Sequence, residues 1–99
     1  MQPSAQAGGN LMAPPRITLN LAADGLFEMW LNPEGRDLLV QKLQALTIEN
    51  EHFHLGPAPT GELEVATKPY REGDRVLEWG KVYFRTDEWD EKYFPHVLK

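Results

Sequence analysis

From Arg16 to Leu21 the chain alternates polar and apolar residues, the period-two signature of a strand with Ile17, Leu19 and Leu21 on its dry face. Asp24-Gly25 follows as a hairpin signal, because glycine tolerates the positive φ of a tight turn. Leu26 to Leu31 then reads as a second strand, antiparallel to the first, with Phe27, Met29 and Leu31 on one face and Leu26, Glu28 and Trp30 on the other. Asn32-Pro33-Glu34 is a helix start: Asn caps, Pro suits the first helical position, and Glu favours the positive end of the helix dipole. This helix is expected to run to about Leu46, with Leu39, Leu43 and Leu46 as its apolar stripe, flanked by Leu38 and Val40. Asp37, Gln41 and Gln44 fall on its wet side, and no glycine marks its end.

Alternation returns in Glu51-His52-Phe53-His54-Leu55 and in Glu62-Leu63-Glu64-Val65. Strands are therefore predicted over His52–Leu55 and Glu62–Thr67, joined by the Gly/Pro-rich loop of residues 56–61. Phe53 and Leu55 belong to the core, so His52 and His54 face away from it, with Glu62 and Glu64 opposite them. Residues 68–74 mix charge signs within a second loop, where local ion pairs are expected. Residues 76–85 have a strand-rich composition, with Gly80 marking a bend or bulge. A short helix is expected over Asp87–Tyr93, since Trp89 and Tyr93 stand four apart, and Pro95 stops it. The order β-β-α-β-β-β predicts an α+β fold, one main helix on one face of a mostly antiparallel sheet. Residues 1–15, with two glycines and the pair Pro14-Pro15, read as a flexible leader and 16–99 as one domain.

Composition narrows the partners. Fifteen acidic and ten basic residues give a formal net charge of −5, and no basic cluster offsets it, which argues against nucleic acid and against an anionic membrane and leaves a basic protein as the fitting partner. The chain has no cysteine, so a reducing compartment is favoured over secretion. No apolar run approaches the roughly 20 residues of a membrane span, and the first fifteen residues lack the charged start and apolar block of a signal peptide. Cytoplasm is the predicted compartment.

Candidate chemistry centres on the histidines. His52 and His54 stand two apart, a spacing at which two imidazoles on one strand can meet one metal ion, but zinc needs three or four protein ligands. Neither a metal nor any other cofactor is predicted. Glu62 with His54 offers acid–base groups, yet no Ser, Thr or Cys sits in a nucleophile context and no glycine-rich phosphate loop is present, so an enzyme is not expected. Two readings of Trp30 compete: a wet-face tryptophan that anchors a partner, or one covered by the C-terminal segment with Trp89, Tyr93 and Phe94. The acidic tract from Asp87 to Glu91 around Trp89 reads first as a solvated helix face and second as a patch that steers a basic partner.

The strand hairpin, the following helix, the His52-Phe53-His54-Leu55 segment and the Glu62-Leu63 strand resemble the immunity protein 32 family of bacterial polymorphic-toxin immunity proteins. The likeness covers roughly the middle half of the chain. It departs in the proline-rich loop of residues 56–61, where the family has a tryptophan-glycine segment, and in Leu77 to Phe84, which has no firm counterpart. The resemblance implies toxin neutralisation. The expected function is thus a small protein-binding domain acting by occlusion, through His52, His54, Trp30, Glu28, Glu62, Glu64 and Trp89. Its alternatives are a metal- or small-molecule-binding domain built on His52 and His54, and a scaffold domain that dimerises at a sheet edge.

Overall fold

The computed structural model describes residues 13–57 and 61–99, so the expected leader falls almost wholly outside the described residues, as does the centre of the 56–61 loop. The chain runs β1 (Ile17–Leu21), β2 (Phe27–Leu31), α1 (Pro33–Gln44), β3 (His52–Gly56), β4 (Leu63–Glu64), β5 (Arg75–Val76), β6 (Gly80–Tyr83) and α2 (Asp87–Tyr93), ending in a 3-10 turn over Pro95–Leu98. The strands form two three-stranded sheets, ordered β2-β1-β5 and β4-β3-β6, antiparallel except where β4 runs parallel to β3. With two helices among the described residues, the fold is α+β, as the residue pattern predicts.

The hairpin forms where Asp24-Gly25 places it: Gly25 has φ +93°, Ala22 N–H donates to the Leu26 carbonyl at 2.8 Å, and the Asp24 carboxylate accepts from Leu26 N–H at 3.0 Å. Asn32 does more than cap. Its Oδ1 accepts from Gly35 N–H at 2.7 Å and from Arg16 N–H at 2.8 Å, while its Nδ2 donates to the Pro14 carbonyl at 2.9 Å. One side chain therefore fixes both the start of α1 and the segment leading into β1.

The core consists of Ile17 and Leu19 from β1, Phe53 and Leu55 from β3, and Leu63 and Val65 from β4 and its continuation, with Leu38, Leu39, Leu46 and Val82 packed against it. The helical stripe differs from the expected one. Leu43 and Val40 stay exposed, at 45% and 44%. At 100° per residue, Gly35, Leu38 and Leu39 share an arc of about 100°, and Leu43 lies about 40° beyond its rim, while Leu46 follows the end of α1 at Gln44. The arc is centred on buried Gly35, which lets the helix approach the Arg16 backbone closely.

Three further expectations need correction. The strand predicted over 62–67 is ladder-paired only at Leu63–Glu64, because its continuation changes partners: Val65 N–H donates to the Gly56 carbonyl at 3.0 Å, and Ala66 N–H to the Ile17 carbonyl at 2.8 Å. The chain there bridges the two sheets. The stretch 76–85 is likewise two strands rather than one. β5 pairs with β1, Leu77 N–H donates to the Leu19 carbonyl at 2.8 Å, and pairing resumes on β3 at Gly80. Finally, Thr18 and Asn20, on the supposed wet face of β1, are 1% and 0% exposed.

Candidate functional site

Asn20 explains its own burial. Its Nδ2 donates to Asp74 at 2.8 Å and to Glu28 at 3.1 Å, and its Oδ1 accepts from Tyr70 N–H at 3.2 Å. A buried amide left unpaired is costly, and here two of the three bonds come from the 68–74 loop that closes over β1 and the third from Glu28, its register partner on β2. Arg71 pairs with Glu28 and, at 3.0 Å, with Asp74. The Trp30 indole N–H donates to Glu28 at 3.2 Å, and its ring stacks on Tyr70 with centroids 4.0 Å apart. The bond from Arg71 is the main cause holding the Glu28 carboxyl below its usual range, and the same contact raises the Arg71 guanidinium. Trp30 is therefore covered neither by the C-terminal segment nor left as a bare anchor: the 68–74 loop clasps it. One of the ion pairs expected within that loop, Arg71–Asp74, forms, and the Arg71–Glu28 pair reaches across to the hairpin.

The histidines lie elsewhere. β3 buries Phe53 and Leu55 and turns His52 and His54 outward, their rings 5.1 Å apart and edge to face. Each ring is aimed by a carboxylate. Glu62 Oε1 takes the His54 backbone N–H at 2.6 Å and lies 2.9 Å from its Nδ1; Glu51 Oε1 lies 2.6 Å from His52 Nδ1. An ionised carboxylate only accepts, so each Nδ1 carries a hydrogen, and in the neutral ring Nε2 is then an acceptor. The paired N–H donors of His54, the backbone one first, lower the Glu62 pKa from its ordinary value. Parallel pairing of β4 sets this geometry. Leu63 sits opposite Leu55, so Glu62 falls beside His54, whereas Glu64 falls beside Gly56. The expectation that both carboxylates face the histidines is corrected accordingly.

β6 completes a stripe that the sequence did not assign. Antiparallel register sets Tyr83 opposite His52 and Lys81 opposite His54. The Trp79 ring stacks on His54 at 5.6 Å and lies over Gly56, where any Cβ would collide with it. Tyr83 lies 5.8 Å from His52, and Lys81 Nζ reaches its hydroxyl at 3.0 Å. Trp79 and Tyr83 are each 57% exposed. At the far end Arg85, 3.4 Å from Glu51, lies over the Trp89 ring at 4.4 Å, and Trp89 packs on Tyr93 and Phe94. A shallow groove lined by Tyr83, Arg85, Trp89, Asp90 and Phe94 closes the stripe.

Of the residues singled out from the sequence, His52, His54, Glu62 and Trp89 thus lie along one surface, Trp30 and Glu28 belong to the loop clasp, and Glu64 stands apart from both. The stripe can offer acceptor nitrogens, carboxylate oxygens and aromatic faces to a cation, with Lys81 and Arg85 as its own positive groups. Among the described residues no cluster of three or more His, Asp or Glu is arranged to hold a metal ion, and no helix is long and apolar enough to cross a membrane. Compared with models of known families, with curated proteins and with solved structures, the chain matches none.

Proposed function

We propose that this chain is a protein-binding domain that occludes a basic partner, in the manner of a toxin-neutralising immunity protein. The observation that carries the reading is the exposed stripe Trp79–His54–His52–Tyr83, backed by Glu62 and Glu51. Two large aromatics on a wet sheet face are the side chains that most often anchor interfaces, and they cost solvent-exposed apolar area in the free chain. Their rings, the carboxylates and the imidazole acceptors together suit a lysine or arginine of the partner. A net charge of −5 adds long-range attraction to a basic protein.

Co-expression with toxin candidates from the adjoining reading frame tests this directly. Growth rescue and a co-purifying complex that weakens as salt is raised are expected. No rescue and no complex would overturn the proposal. One observation favours a second reading: both Nδ1 atoms are held by carboxylates, as in metal-ligating histidines. Zinc calorimetry separates the two, since that reading requires binding that disappears in the His52→Ala, His54→Ala double variant.

A further inference from the structure

Of the four edge strands, β4 and β5 are only two residues long, and the free edge of β2 is unlike that of β6. β6 is four residues long and carries Lys81, a charge that discourages strand addition, whereas β2 reads Phe27-Glu28-Met29-Trp30-Leu31 with no lysine, proline or bulge. Hydrogen-bond phase shows what this edge offers. Ala22 bonds to Leu26 and Asn32 to Arg16, so the intervening register makes Asn20–Glu28 and Thr18–Trp30 the bonded pairs of the ladder. Phe27, Met29 and Leu31 therefore turn their N–H and C=O groups away from β1. Their β1 neighbours conform to the same phase, since Ile17 and Leu19 accept from Ala66 and Leu77 on the opposite side. No other described strand pairs with β2, and the side chains of Phe27, Met29 and Leu31 are 49%, 44% and 40% exposed.

We propose that β2 is the interface of a two-fold homodimer, in which two copies pair antiparallel about Met29. Self-complementarity of this strand selects a second copy as the occupant. With Met29 opposite Met29 of the second copy, Phe27 meets Leu31 on the apolar face, and Glu28 meets Trp30 on the other. No like charges face each other, and Glu28 is already neutralised by Arg71. The neighbouring registers are worse. A slip one way sets Glu28 against Glu28, and a slip the other way brings Pro33, which has no N–H, into the ladder. The strand contact is smaller than the roughly 1,600 Å² of a standard interface, so the dimer is of the weak, concentration-dependent kind. Because each copy carries −5, it tightens with salt, opposite to the complex with a basic partner, and it uses a surface distinct from the histidine stripe.

The absence of cysteine makes the register measurable. In Met29→Cys the two thiols would sit on directly opposed residues, with Cα atoms about 5.5 Å apart, inside the disulfide range. In Leu31→Cys they would lie four residues out of register, about 14 Å apart. Expected results are a mass rising from 11.3 kDa toward twice that value in light scattering as the chain is concentrated to about 500 µM, and oxidative cross-linking at least tenfold faster for Met29→Cys than for Leu31→Cys. Met29→Pro removes an outward N–H without touching the β1 ladder and should abolish the mass increase while circular dichroism stays unchanged. A mass fixed at 11.3 kDa, or equal cross-linking of the two cysteine variants, overturns the proposal, and the cysteine pair decides even if the proline variant fails to fold.

Discussion

A methyl group on Gly35 would overlap the Arg16 carbonyl oxygen, so the residue at the centre of the buried face of α1 is fixed as glycine by the backbone it touches. Alanine in place of glycine usually stabilises a helix by about 1 kcal/mol. Here the collision dominates: Gly35→Ala is expected to destabilise by about 1–3 kcal/mol, read from the urea midpoint. Glu62 acts at the same scale through charge. Its folded-state pKa lies below the ordinary 4.5 because His54 donates two hydrogen bonds to its carboxylate. Its contribution is therefore complete above that ordinary value and disappears as pH falls through the lowered one. Glu62→Gln should lower the Tm near neutrality and reduce the further fall between pH 6 and 3; a variant with the wild-type acid slope would show that the contact is not made in solution.

At the scale of elements, the parts with local signals were legible. Asn32-Pro33 starts α1, Asp24-Gly25 turns the hairpin, and α2 spans Asp87–Tyr93 where the Trp89–Tyr93 spacing places it. What the sequence concealed depends on partners far along the chain. Asn20 looks like a wet-face residue until Tyr70 and Asp74, some 50 positions away, close over it. Tyr83 and Trp79 became part of the histidine surface only through the β3–β6 register, and the stretch containing them looked like one strand because composition does not say which neighbour a strand will choose. Phe53, Leu55, His52 and His54 were readable because alternation alone separates their two faces. The helix phase provides its own test. Leu39→Ala, against the core, should cost about 2 kcal/mol and Leu43→Ala, at 45% exposure, about 0.5 kcal/mol, compared by denaturant unfolding. Equal losses would mean that the expected stripe, not the observed one, faces the core.

Across the whole molecule, residues 63–66 join two short sheets into one support, with pairing to β3 on one side and to β1 on the other. Polar chemistry then divides between two places. Around Asn20, Glu28, Arg71 and Asp74 the donors and acceptors bond one another, and that cluster holds the 68–74 loop against the hairpin. Around His52 and His54 the carboxylates orient rings, and no described residue bonds either Nε2. The first arrangement closes on itself; the second leaves ring nitrogens without a described hydrogen-bond partner. Trp79 and Tyr83 give that second surface its apolar area, and Gly56 is the residue that lets Trp79 lie down on it.

The most direct test of the proposed function is the affinity of a co-purified partner for Trp79→Ala and Tyr83→Ala, measured by calorimetry beside the wild type. The account predicts a loss of at least tenfold for each, about 1.4 kcal/mol or more, with both variants as stable as the parent because the two rings are largely solvent-exposed. A partner that binds both variants with wild-type affinity would contradict it.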